Sequence, residues 1–104
     1  MLMRLEKKFT LCGVPQIGVN GEETRAQLGE IRCAVSSQTA KESLDNEVRL
    51  ATETATAFVA QRWTPPGGFL RGMELKRGDA VYRILTPVEN SAGWTLKCAR
   101  IHIG

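Results

Sequence analysis

Between Gly72 and Ile103 the chain alternates apolar and polar residues in short runs, and this pattern limits its fold more than any other feature. A period of two sends successive side chains to opposite faces, the mark of half-buried antiparallel strands joined by glycine-containing turns. Met73 and Leu75 are expected on one face, with Tyr82 and Ile84 returning to it after the Arg77-Gly78-Asp79 turn. A second turn, Glu89 to Gly93, leads into a last strand carrying Trp94, Leu96 and Cys98. Ile101 and Ile103 follow out of phase, as a bulge would place them. The Arg-Gly-Asp triplet is read as a hairpin turn and not as an adhesion signal.

The earlier half continues the theme with one interruption. Lys7 to Cys12 predicts a first strand, with Phe9 and Leu11 sharing a face, and Ile31 to Gln38 a second through Ile31, Cys33 and Val35. Between them, residues 13–29 lose the pattern. Their glycines, a proline and the Asn20-Gly21 turn signal predict a long loop or extended hairpin tip. Loops longer than about 12 residues in a compact domain are usually functional or disordered. Val19, Asn20, Glu22, Glu23 and Arg25 are the candidate contact residues of this one.

Thr39-Ala40-Lys41-Glu42 fits a capping box, and Ala40, Leu44, Val48 and Ala51 follow at helical spacing. This predicts a short amphipathic helix over residues 40–51, with Glu42 and Asp45 on its solvent face. Thr54 to Trp63 reads as a strand covered on both sides, because neither of its faces is clearly the more apolar. Pro65-Pro66-Gly67-Gly68 ends it. Phe69, Leu70 and Arg71 lie in the following loop, where two apolar side chains are either tucked beneath it or offered to a partner.

The expected fold is therefore mainly β: a small antiparallel barrel or sandwich of about six strands, with one helix and one long loop. At 104 residues it reads as a single domain. Six aromatic residues leave the core to aliphatic side chains, and thin cores are often supplemented by oligomerisation. Cys12, Cys33 and Cys98 are too few and too scattered for a zinc pattern and read as buried small hydrophobes in a reducing compartment. No apolar run approaches membrane-spanning length and the first residues lack a signal-peptide pattern, so a cytosolic protein without membrane association is expected.

Chemistry is hard to find. His102, the single histidine, has no nucleophile motif beside it, and Gly67-Gly68 lacks the lysine and helix start that phosphate cradling needs. No catalytic residue, metal or cofactor is expected, and the chain is not read as an enzyme. Charge is uneven, with seven basic and eight acidic groups in residues 1–61 against seven and three in residues 62–104. This supports an alternative, a small barrel that binds single-stranded nucleic acid through Trp63, Tyr82 and Trp94 beside Arg62, Arg83, Lys97 and Arg100. Those rings alternate with most of the charges, however, which turns them toward the core. A small enzyme-associated or toxin-type barrel is a third reading that the sequence neither supports nor excludes.

The order of elements resembles a known family. A basic opening strand (Lys7-Lys8-Phe9-Thr10-Leu11) precedes a strand with Ala34-Val35, a helix from about Glu42, and a strand ending Arg62-Trp63 before Thr64-Pro65. Met73-Glu74-Leu75, a tight turn, Tyr82-Arg83-Ile84 and a final Trp94-Thr95-Leu96 strand complete it. From about Lys7 to Ile103 this is similar to the small head–tail adaptor, or head-closure, proteins of tailed bacteriophages. The resemblance implies a β-barrel assembled as a homo-oligomeric ring at the head–tail junction of the virion. Its partners would be a portal or adaptor protein, a tail-completion protein and, non-specifically, packaged DNA in the channel.

Overall fold

The computed structural model describes residues 5–39 and 53–101, and their strands are β1 (Lys7–Cys12), β2 (Gln16–Ile17), β3 (Glu23–Thr24), β4 (Gln27–Thr39), β5 (Glu53–Ala60), β6 (Glu74–Arg77), β7 (Ala80–Asn90) and β8 (Gly93–Ile101). Six of them close into an antiparallel barrel in the order β1-β4-β5-β8-β7-β6, while β2 and β3 pair only with each other. The choice left open by the sequence between barrel and sandwich is thus resolved as a barrel. The helix expected over residues 40–51, His102 and Ile103 lie outside the described residues.

The period of two determines which side chains fill the barrel. Leu11, Leu75, Ile84, Leu96, Cys33 and Cys98 are fully enclosed, joined by Phe9, Ile31, Val59 and Tyr82. On β5 the inward residues are Ala55, Ala57 and Val59, leaving Phe58 half-buried on the outer face. Ala57 pairs with Val35 on one side and Leu96 on the other, so a small residue makes room for two larger neighbours. Phe9 and Tyr82 meet edge to face with ring centroids 6.1 Å apart.

Three boundaries differ from expectation. The segment expected over residues 13–29 as a long loop or extended hairpin tip is a hairpin, β2–β3, but it ends at Ala26, because β4 starts at Gln27 and pairs along β1 from Cys12 onward. The strand expected to run to Trp63 stops at Ala60. A 3-10 turn, Gln61–Trp63, follows, closed by the Thr64 amide donating to the Gln61 carbonyl at 3.0 Å, and Pro65 holds Thr64 extended. The irregularity expected near Ile101 lies instead on the facing strand. Ile84 pairs with Cys98 and Thr86 with Lys97, so Leu85 is the extra residue of β7.

Two paired ribbons, β4–β5 and β7–β8, outrun their neighbours. Beyond Leu85 the outer edge of β7 has no strand partner among the described residues, and Pro87 sits within that stretch. Gly93 turns the β7–β8 ribbon with φ +144°, and a Cβ there would collide with the Val59 carbonyl oxygen. Only glycine allows β8 to begin so close to β5.

Candidate functional site

The hairpin between β1 and β4 is short, polar and firmly based. Its tip is a turn from Gly18 to Gly21, with the Gly21 amide donating to the Gly18 carbonyl at 3.0 Å. This is the turn that Asn20-Gly21 signalled. Below it, the Gly18 amide donates to Glu22 and the Gly13 amide to Ala26, each at 2.8 Å. A two-pair hairpin of this kind has little stability of its own. What fixes it is Arg25, whose Nη1 donates to the carbonyl oxygens of Gly13 at 3.1 Å and Gly72 at 2.6 Å.

The same guanidinium reaches a buried acid. Glu74 is 5% exposed although it lies on the outer face of β6, between inward-facing Met73 and Leu75. Its Oε2 accepts from Arg83 Nε at 3.2 Å and Nη2 at 3.0 Å, and lies 3.4 Å from Arg25 Nη2. Two cations thus neutralise one desolvated carboxylate, and the arrangement joins the hairpin to β6 and β7. Nothing in the local pattern signals this. An acid at an outward position of an alternating strand reads as solvent-facing, and one of its two cations, Arg25, comes from 49 positions away along the chain.

The two candidate loops therefore meet. Val14 and Pro15 at the hairpin base lie against Gly72, which ends the loop holding Phe69, Leu70 and Arg71. The candidate residues themselves divide. Val19, Asn20, Glu22 and Glu23 are exposed at the tip, and Leu70 and Arg71 are exposed on the second loop. Arg25 and Phe69 are not offered to solvent, and of the two alternatives for Phe69 the tucked one is realised. Arg25 is spent on the clamp, and Phe69, 3% exposed, plugs the barrel end edge-on to Trp94 with centroids 5.4 Å apart. Sequence reading missed Ile17, Leu85 and Val88, which add to the exposed aliphatic side chains.

The rings named for a nucleic-acid surface are engaged elsewhere. Tyr82 is buried, with the Arg100 guanidinium 5.4 Å from its ring centroid, while Trp63 and Trp94 pack against the core. Arg100 pairs with Tyr82 across the strands and is the exception to the charge alternation. Among the described residues the large exposed apolar side chains are all aliphatic.

The thiols line the interior. Cys12, Cys33 and Cys98 are free and buried, as expected of them. Burial pushes the Cys33 and Cys98 thiols up to about 12, with Cys98 and then Glu6 adding to the effect on Cys33. Both stay protonated at neutral pH and are poor nucleophiles. No group of three or more His, Cys, Asp or Glu suited to a metal ion occurs among the described residues, nor any helix long and apolar enough to cross a membrane.

An open depression of about 370 Å³ lies on the outer face of the barrel, over Ala34, Phe58, Ala60, Trp94 and Thr95. A second, of about 350 Å³, runs beneath the hairpin between Glu23, Arg25, Glu74 and Arg83. The surface thus combines a closed barrel, a clamped projection with exposed aliphatic side chains, and shallow hollows. Comparison with protein families, curated proteins and solved structures found no match.

Proposed function

We propose that the chain is a structural connector of a tailed phage or prophage particle, a ring-forming protein of the head–tail junction that closes the DNA-filled head and presents a docking surface to the tail. The observation that carries this reading is the hairpin anchored to the barrel by Arg25 while Ile17 and Val19 stand 68% and 101% exposed. A projection that is held in place yet leaves its apolar side chains in water gains most when another protein covers them. The resemblance in element order supplies the setting, and the barrel of six strands agrees with its architecture. In this reading the protein assembles in the host cytoplasm and works in the virion, against a portal or adaptor protein and a tail-completion protein. The surplus of basic residues after Arg62 suits non-specific attraction to packaged DNA.

Single-strand nucleic-acid binding remains the rival, and the packing of Tyr82 and Trp94 against the core weighs against it by withdrawing two of its three rings. The test replaces residues 17–22 by a two-residue Asn-Gly turn, keeping Arg25 and its clamp. The expected result is an unchanged thermal transition with loss of head–tail joining in an infectivity assay. Full tail attachment by this variant, or tight salt-sensitive binding of single-stranded DNA by the native monomer, overturns the connector reading.

A further inference from the structure

The hairpin tip is acidic, and exposed cations stand beside the larger hollow. From Gln16 to Thr24 the only charged residues are Glu22 and Glu23, both exposed, and the large apolar side chains are β-branched Ile17 and Val19, exposed as well. The hollow is floored by Ala34 and Phe58. Arg32 lies two positions from Ala34 on the same outward face of β4, and Lys97 two positions from Thr95 on that of β8, both exposed. Arg62 follows at the end of β5, although its guanidinium lies 3.7 Å from Glu6, which borders the hollow. An acidic, apolar-tipped projection is thus set against a largely apolar hollow whose charged lining residue, Glu6, is paired with Arg62 and beside which Arg32 and Lys97 stand exposed.

Position decides what the two features can join. The hairpin lies against β6 through Glu74, and the hollow is centred on β5. In the cyclic order β1-β4-β5-β8-β7-β6 these strands are three apart, on opposite sides of the barrel. Arg25 holds the hairpin to its own β6, so the tip cannot swing around to its own hollow. Two unlike, complementary surfaces on opposite sides of one subunit produce head-to-tail contacts, which close into rings when the rotation allows.

We propose that the occupant of the hollow is a second copy of this chain, with Ile17 and Val19 of one subunit seated over Ala34 and Phe58 of the next and Glu22 and Glu23 facing Arg32 and Lys97. This deepens the connector reading, on which it rests for closure of the contacts into a ring; the contact itself is tested without it.

The probe is the protein itself, carrying Val19→Cys and Ala92→Cys, with Ala92 at the rim of the hollow and the native thiols buried. Oxidation of a concentrated solution is expected to give a ladder of dimers, trimers and higher species. Its yield should exceed by at least tenfold that of a Val19→Cys, Asp79→Cys control, whose second thiol sits on the β6–β7 turn. Adding Glu22→Lys and Glu23→Lys, at exposed positions that leave folding untouched, should abolish most of the excess, as should Ala34→Arg. A yield no greater than the control, products that stop at the dimer, or a ladder indifferent to the lysine substitutions overturns the contact. A ladder from a protein that never joins a portal ring would keep this contact and remove the connector reading. Portal-bound rings of a chain that gives no ladder would do the reverse.

Discussion

Arg25 and Gly72, 47 positions apart in the chain, are joined by a 2.6 Å hydrogen bond from guanidinium to carbonyl. One side chain thereby decides whether the hairpin is a projection or a loose loop. It also supplies half the positive charge around Glu74.

Arg25→Ala should loosen the hairpin and leave Glu74 with Arg83 as its sole cation within salt-bridge distance among the described residues. The expected loss is about 2–3 kcal/mol in urea denaturation, since a buried carboxylate loses a charged partner. Amide exchange at Gly18 and Gly21 should accelerate well beyond what that global loss explains. Arg25→Lys should recover little, because a single ammonium cannot reproduce the fork that spans two carbonyls and a carboxylate.

Phe69 and Leu70 are neighbours with opposite fates, 3% and 51% exposed. Phe69→Ala should cost about 3 kcal/mol and change Trp94 fluorescence, as the ring packed edge-on against it disappears. Leu70→Ser should leave stability within about 0.5 kcal/mol of native. Equal effects of the two substitutions in a denaturation series would show that the loop does not plug the barrel.

Gly93→Ala should be among the most damaging single-methyl additions in the chain. The backbone has φ +144° and the new carbon meets the Val59 carbonyl, so β5 and β8 must separate. A loss of about 3 kcal/mol or more is expected. A thermal midpoint within a degree or two of native would refute the close approach of these strands.

The interior thiols predict a pH dependence with a definite sign. Cys33 and Cys98 have an ordinary value of 9.0 when unfolded and are pushed up to about 12 by burial. In that interval the folded state holds protons that the unfolded state has released, so stability falls as pH rises. The stabilisation is fully present below pH 9.0 and is lost progressively toward about 12. Cys33→Ala with Cys98→Ala should flatten this part of the stability curve. At pH 8 the native protein should resist alkylation at both positions, and urea should release them together.

The barrel was legible from Lys7 to Cys98 because alternation along a strand records which face is buried. Phe9, Leu11, Tyr82, Ile84 and Leu96 all fell where the pattern put them. The hairpin turn was legible too, since Asn20-Gly21 is local chemistry. Boundaries were not, because the start of β4 at Gln27 depends on pairing with Cys12 and not on its own polar residues. The clamp was invisible for a similar reason. Arg25 reads as one more charge in a glycine-rich stretch until folding brings Glu74 and Gly72 to it.

Pro87 has a consequence for how this protein behaves in quantity. It interrupts the one stretch of β7 that no neighbouring strand covers among the described residues, and a proline has no N–H with which to recruit a foreign backbone. That stretch of β7 is therefore a poor template for strand-on-strand stacking between copies. Along this edge, contact with another chain is left to side chains such as Leu85 and Val88, which stand exposed there.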